Sequence, residues 1–169
     1  IFKQILHSIY YCNKNKISHR DLKPENFMFS SDKDDSILKL IDFGVAKSYY
    51  KKELLANISQ VMRMKTRAGT TYFMAPEVIL NNYTEACDMW SAGVILYIIL
   101  SGFPPFGGDS DEEILENILK GSFDFDEEIW DEISDEAKDL IEKLLTVENE
   151  RLKPKQALEH PWICEYSRL

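Results

Sequence analysis

His19-Arg20-Asp21-Leu22-Lys23-Pro24-Glu25-Asn26 sets alternating charges around a proline in one short polar stretch, and what flanks it decides the fold. Ahead of it Phe2, Ile5, Leu6 and Ile9 recur at the spacing of one helical face, so the chain opens inside an amphipathic helix with no capping residue before it. Behind it two short apolar runs, residues 26–29 and 37–41, flank the polar residues 30–36, which is the pattern of a β-hairpin. The hairpin carries the chain from Asn26 to Asp42-Phe43-Gly44.

Farther out, residues 44–75 are polar, basic and weakly periodic, and a connection of that length is usually functional. After Pro76 the sequence reads as helix. Residues 88–100 are apolar nearly all round, as in a central buried helix, with Asp88 placed at its start as an N-cap would be. Residues 112–120 form a shorter amphipathic pattern. Ser134 stands as an N-cap before Asp135, Glu136 and an apolar stripe through Leu140, Ile141, Leu144 and Leu145, and a last helix starts near Pro154 and ends by Pro161. Trp90, Trp130 and Trp162 read as core aromatics. No repeat or linker divides the chain, so a mainly α unit with one short hairpin is expected, its function on the loops.

Composition narrows the class. A chain of 169 residues that is 44% hydrophobic is long enough for one sizeable core. Its three cysteines, Cys12, Cys87 and Cys164, stand far apart, which fits a reducing, cytoplasmic compartment better than a disulfide framework. The longest apolar run, residues 94–100, falls far short of the roughly 20 residues that cross a bilayer, so no membrane span is expected. A net charge of -9 argues against a general nucleic-acid partner, which is itself a polyanion. Between Asp109 and Glu136 nearly every charged residue is acidic, Lys120 being the exception, and two readings stand: a solvated helical face, or attraction of basic peptides.

The stretch 19–26, followed by Asp42-Phe43-Gly44 and then Ala75-Pro76-Glu77, resembles the protein kinases. The resemblance implies the helical C-lobe of the kinase fold, with its hairpin at the catalytic site, from a parent domain that is α+β. It implies that Asp21 accepts the proton of a substrate hydroxyl, that Lys23 faces the charge developing on the transferred phosphate, and that Asn26 and Asp42 hold magnesium. Lys23, Glu25, Asn26, Met28 and Asp42 form the expected surroundings of ATP and Mg2+, Met28 being similar to the apolar residue under the adenine. Lys23 and Gly69-Thr70 resemble serine/threonine kinases, and Thr70 is expected to bond Asp21 and Lys23. Arg20, with Lys47, is the expected partner of a phosphate on Thr66, with Thr71, Ser59 and Thr70 as competitors. His19 and Phe43 are expected to pack together, Gly44 to permit the turn after the metal ligand, Glu77 and Arg151 to form a buried ion pair, and Asp88 to hold the catalytic-loop backbone.

Residues 75–100, then 102–108 and His160-Pro161-Trp162, resemble most closely the calmodulin-dependent and calcium-dependent protein kinase group, and residues 133–141 favour the calcium-dependent branch. Protein substrates are the implied partners, with calcium-sensing elements in a longer parent. The pattern departs in three places: Asn13 stands for a frequent histidine, Lys153 for a helix-capping threonine or serine, and the extended residues 48–65 lengthen the activation segment. Residues 1–169 contain no glycine-rich loop and no strand lysine for the phosphates, so by itself this partial catalytic domain, the N-lobe being absent, is expected to transfer phosphate poorly. The reading from another class is a protein-binding module built on a catalytically inactive lobe.

Overall fold

The computed structural model describes residues 1–52, 59–61 and 63–165, with only the backbone described at 50–52 and 59–61; the side chain of Ser59 and the part of the long segment at 53–58 and 62 lie outside what is described. In chain order its first elements are α1 (Phe2–Lys14), β1 (Ile17–Ser18), β2 (Phe27–Phe29), β3 (Leu38–Leu40), β4 (Lys47–Ser48), β5 (Tyr50–Lys52) and β6 (Ser59–Val61). There follow α2 (Pro76–Ile79), α3 (Cys87–Ser101), α4 (Asp111–Lys120), α5 (Asp135–Leu144), α6 (Pro154–Leu158) and α7 (Pro161–Glu165). Among the described residues the architecture is mainly helical with three small antiparallel pairs, β1 with β4, β2 with β3 and β5 with β6.

The face of α1 read from sequence is the one it buries, through Phe2, Ile5, Leu6, Ile9 and Cys12. It packs on α3 and α6. The hairpin forms with Phe27 opposite Leu40 and Phe29 opposite Leu38, and Leu38 N–H donates to the Gln4 side chain at 2.7 Å, which ties the hairpin to α1. Residues 44–75, expected as one irregular connection, instead contain β4, β5, β6 and a 3-10 turn at Thr71–Phe73. Strands of two or three residues are held by backbone pairing, so they leave no alternation for a periodicity reading to find.

The central helix α3 is buried without interruption from Cys87 to Tyr97, as an all-round apolar pattern requires. Its start corrects one expectation: the N-cap is Ala86, and Asp88 lies within the first turn. There the Asp88 carboxylate is committed to another part of the chain, and the first N–H groups of the helix are taken by backbone oxygens instead, Asp88 N by Glu85 O at 3.2 Å and Met89 N by Ala86 O at 3.0 Å. Gly93 is a contact point, because a Cβ there would lie 2.8 Å from Leu144 Cβ and 2.9 Å from Leu145 Cδ2. α3 and α5 therefore meet nearly backbone to side chain.

Both Ser110 and Ser134 act as N-caps, accepting from Glu113 N at 3.2 Å and Ala137 N at 3.3 Å. The acidic side chains Glu112 and Glu116 of α4 face solvent while Ile114 and Ile118 are buried, the arrangement of a solvated face. Lys153 occupies the N-cap position of α6 without a side-chain cap, and Gln156 Oε1 takes its backbone N–H at 2.9 Å. The last helix expected from sequence is two, since Pro161 lacks an N–H and disfavours a helical residue before it. Trp90 stacks on Phe106 at 5.5 Å and Trp130 meets Tyr97 at 4.6 Å, both tryptophans buried, while Trp162 is half-buried 6.3 Å from Phe2. All three cysteines are free thiols, and among the described residues no helix is long and apolar enough to cross a membrane.

Arg151 closes the frame. Its Nη1 and Nη2 reach the two Glu77 carboxylate oxygens at 2.5 and 3.1 Å, and its remaining donors meet Ala86 O at 2.9 Å and Thr146 O. The guanidinium also lies 5.2 Å from the Trp90 ring centroid. One fork thus joins α2, the entry to α3 and the segment after α5.

Candidate active site

Leu22, fully buried, anchors the loop between β1 and the turn Pro24–Asn26. The loop backbone is gripped from below by Asp88, which accepts from His19 N and Arg20 N at 2.8 Å each. Burial pushes the Asp88 carboxyl up, and these two bonds act in the opposite direction. Arg20 takes a left-handed backbone, φ 70°, and the following Asp21 turns toward Thr70.

There Asp21, Lys23 and Thr70 form a closed triangle. Asp21 Oδ1 accepts from both Thr70 N and Thr70 Oγ1 at 2.9 Å, Lys23 Nζ lies 3.1 Å from Asp21 Oδ2, and it donates to Thr70 Oγ1 at 3.0 Å. Burial alone would raise the Asp21 carboxyl, but the bonds from Thr70 and Lys23 outweigh it and hold the group below the usual carboxylate range. The carboxylate is ionised and aimed. Gly69 makes the approach feasible, for its φ is 109° and a Cβ would fall 2.6 Å from Arg20 O. Gly69→Ala is expected to destabilise the fold by about 1–3 kcal/mol through this strain, measured by urea unfolding; an unchanged midpoint would contradict the close approach.

Asn26 is buried, and its Nδ2 donates to Asp21 O at 2.7 Å, leaving the amide oxygen as its acceptor atom. Across the hairpin Ile41 N bonds Asn26 O at 2.9 Å, so the next residue, Asp42, arrives beside the loop. Asp42 is exposed, has φ 58°, and accepts from Gly44 N at 3.0 Å. Gly44 fits because a Cβ there would itself crowd that same carboxylate oxygen at 3.0 Å. An amide oxygen and a carboxylate are hard donors of the kind magnesium prefers, with phosphate and water completing its shell. Phe43 meets His19 edge to face at 4.9 Å, and His19 Nε2 donates to Ile41 O at 3.0 Å. Glu25 and Met28 lie exposed beside this cluster, Met28 opposite Lys39 in the hairpin.

The Arg20 side chain spans the other flank. Its Nε donates to Val45 O at 2.7 Å, Nη2 to the same oxygen, and Nη1 to Thr66 Oγ1 at 3.2 Å and Tyr83 OH at 3.1 Å. Thr66 is exposed, whereas Lys47 sits in β4 opposite Ser18, and among the described residues no hydrogen bond or ion pair joins it to Thr66. Sequence reasoning missed Tyr83, fully buried, whose hydroxyl also donates to Thr66 O at 2.7 Å. It missed Arg63, Asn82, Thr84 and Glu148 as well, because contacts across such sequence separations leave no local pattern.

Residues 1–163 match the protein kinase domain, and the chain belongs to that family. It is 46% identical over 163 residues to "Calcium-dependent protein kinase 3" of Plasmodium yoelii yoelii, covering 96% of this chain and 29% of that protein. It is 46% identical over 166 residues to "Calcium-dependent protein kinase 4" of Plasmodium falciparum (isolate 3D7), covering 96% of this chain and 30% of that one. "Calcium-dependent protein kinase 5" of Plasmodium falciparum (isolate 3D7) is 41% identical over 167 residues. The chain thus spans 28% to 30% of the length of these relatives.

Proposed function

We propose that residues 1–169 are the helical C-terminal lobe of a protein serine/threonine kinase that transfers the γ-phosphate of ATP to serine and threonine hydroxyls. The observation that carries this is the Asp21–Lys23–Thr70 triangle. Asp21 is ionised and orients an acceptor hydroxyl, taking its proton as the oxygen bonds the γ-phosphorus and the bond to the ADP leaving group breaks. Lys23 faces the same point and stabilises negative charge on the transferred group. Magnesium held by Asn26 and Asp42 would supply further neutralisation of phosphate charge. Thr70, bonded to both Asp21 and Lys23, sets the floor on which the peptide lies. A serine or threonine hydroxyl, on a short side chain, reaches a base set this close to the segment.

Two regulatory statements accompany this reading. The relatives' names support calcium control in the whole protein, which would show as phosphotransfer that rises with calcium and falls with a chelator. The Arg20–Thr66 bond supports Thr66 as a phosphate-accepting residue, because a guanidinium already placed 3.2 Å from the hydroxyl gains charge-assisted bonds when phosphate arrives. A Thr66→Ala variant is expected to lose the increment of activity that follows treatment with an activating kinase; undiminished activity would remove the idea.

The test of the function is transfer of γ-labelled phosphate by the complete protein to peptides differing only in a central serine, threonine or tyrosine. Label on serine and threonine is expected. No label on any peptide, with magnesium-ATP present, would sink the kinase reading and leave the protein-binding one.

A further inference from the structure

We propose that Arg63 and Glu148 are positioning residues for the peptide substrate, clamping residues 63–66 to the entry of α3 so that Thr70 meets Asp21 in register. The substrate part of this inference rests on the kinase reading above; the clamp does not.

Arg63 donates to Asn82 twice, Nε to Oδ1 at 2.7 Å and Nη2 to the backbone oxygen at 2.6 Å, and Nη2 also reaches Glu148 Oε2 at 2.6 Å. Glu148 uses its second oxygen on Thr84, accepting from the backbone N–H at 2.9 Å and the hydroxyl at 2.6 Å. Both carboxylate oxygens are therefore committed, one to the activation segment and one to the start of α3. Burial acts to raise the Glu148 carboxyl, yet the bonds from Thr84 and Arg63 bring it below its ordinary range, so the group is ionised in the clamp.

The next residue extends the attachment. Met64 and Tyr83 exchange backbone hydrogen bonds at 2.7 and 3.2 Å, both side chains are buried, and Tyr83 OH donates to Thr66 O at 2.7 Å. Residues 63, 64 and 66 are thus each bonded to residues 82–84 or to Glu148. From Thr66 only four residues lead to Thr70, a reach of at most about 14 Å when fully extended, and Gly69 within that span is held against Arg20 O. A segment fixed at 66 and confined at 69 leaves Thr70 little freedom.

The frame of reference matters here. Asp88 of α3 holds the catalytic-loop backbone, and Thr84, just ahead of α3, receives the clamp. Catalytic loop and peptide-receiving segment are registered to the same helix. The clamp consists of side chains this chain already has, so order at residues 64–66 does not wait on phosphate at Thr66.

The experiment compares wild type with Arg63→Ala, Arg63→Lys and Glu148→Gln in the complete protein, reading KM for peptide, KM for magnesium-ATP, kcat, and amide hydrogen exchange at residues 63–70. The Arg63 side chain is 44% exposed, so its truncation leaves the core intact. Arg63→Ala and Glu148→Gln are expected to raise peptide KM about tenfold, leave ATP KM within about twofold and speed exchange at Met64 about tenfold, as loss of charge-assisted bonds implies. Arg63→Lys, which keeps the charge toward Glu148 and loses the fork on Asn82, is expected between wild type and alanine. Unchanged exchange in Arg63→Ala would overturn the clamp, and faster exchange with unchanged peptide KM would overturn the positioning role. A wild-type protein that transfers no phosphate would sink the kinase reading and the substrate role with it, while the exchange comparison would still decide the clamp.

Discussion

Replacing Asp21 by asparagine in the complete protein is expected to lower kcat by a factor of about 100 or more while peptide KM changes by less than about threefold. Asparagine fills the same volume and keeps an oxygen for Thr70, so the loop should stay in place. What it loses is the negative charge and the ability to take a proton. The sign of the pH dependence follows from the same contacts: Thr70 and Lys23 hold the Asp21 carboxyl below its ordinary range, so the group stays ionised as pH falls through that range. Any stabilisation it gives the fold is present above the unfolded carboxylate's pKa, about 3.9, and is lost only as pH drops through the lower folded value. An acid limb of the rate near pH 6 assignable to Asp21 would contradict this. So would an asparagine variant with wild-type kcat.

Replacing Arg151 by leucine is expected to destabilise the chain by about 3–5 kcal/mol, because it strands a buried carboxylate without its partner. The Arg151 side chain is fully buried and that of Glu77 11% exposed, so water has little access to the orphaned charge. A urea-unfolding midpoint that falls with an unchanged slope would report the loss, and the melting temperature is expected to drop by roughly 10 °C for a chain of this size. The double variant Glu77→Leu with Arg151→Leu is expected to recover most of it, since no charge is then left unpaired. A double variant as unstable as the single would show that shape, not charge, is what matters at this point.

Much of this was legible in the sequence where a single residue type serves a single local purpose. The apolar periodicity of α1, the all-round apolar α3 and the capping serine of α5 each follow from side chains facing the nearest core. Ser110 could have been read in the same way from the acidic first turn that follows it. Asp88 shows the limit: an aspartate near a helix start suggests a cap, but this one is drawn to His19 and Arg20, which are distant in sequence. Strands β5 and β6 left no trace because pairing is a property of the backbone. The cluster of Arg63, Asn82, Thr84 and Glu148 was illegible for a related reason, its members being ordinary surface residue types until the fold brings them together. The triangle at Asp21 was legible through motif resemblance, whereas its charge balance emerged only from the distances.

The left-handed backbones of Arg20 and Asp42 carry a consequence for anyone breeding sturdier versions of this chain. Such conformations suit glycine, and holding a bulky residue in one is an expense that the surrounding contacts must offset. A screen that rewards heat resistance alone would therefore favour glycine at both positions and, on the kinase reading proposed above, enrich well-behaved, inert descendants. Lys16 and Asn81 share this backbone, but Arg20 and Asp42 are the two that such a screen should be forbidden to touch.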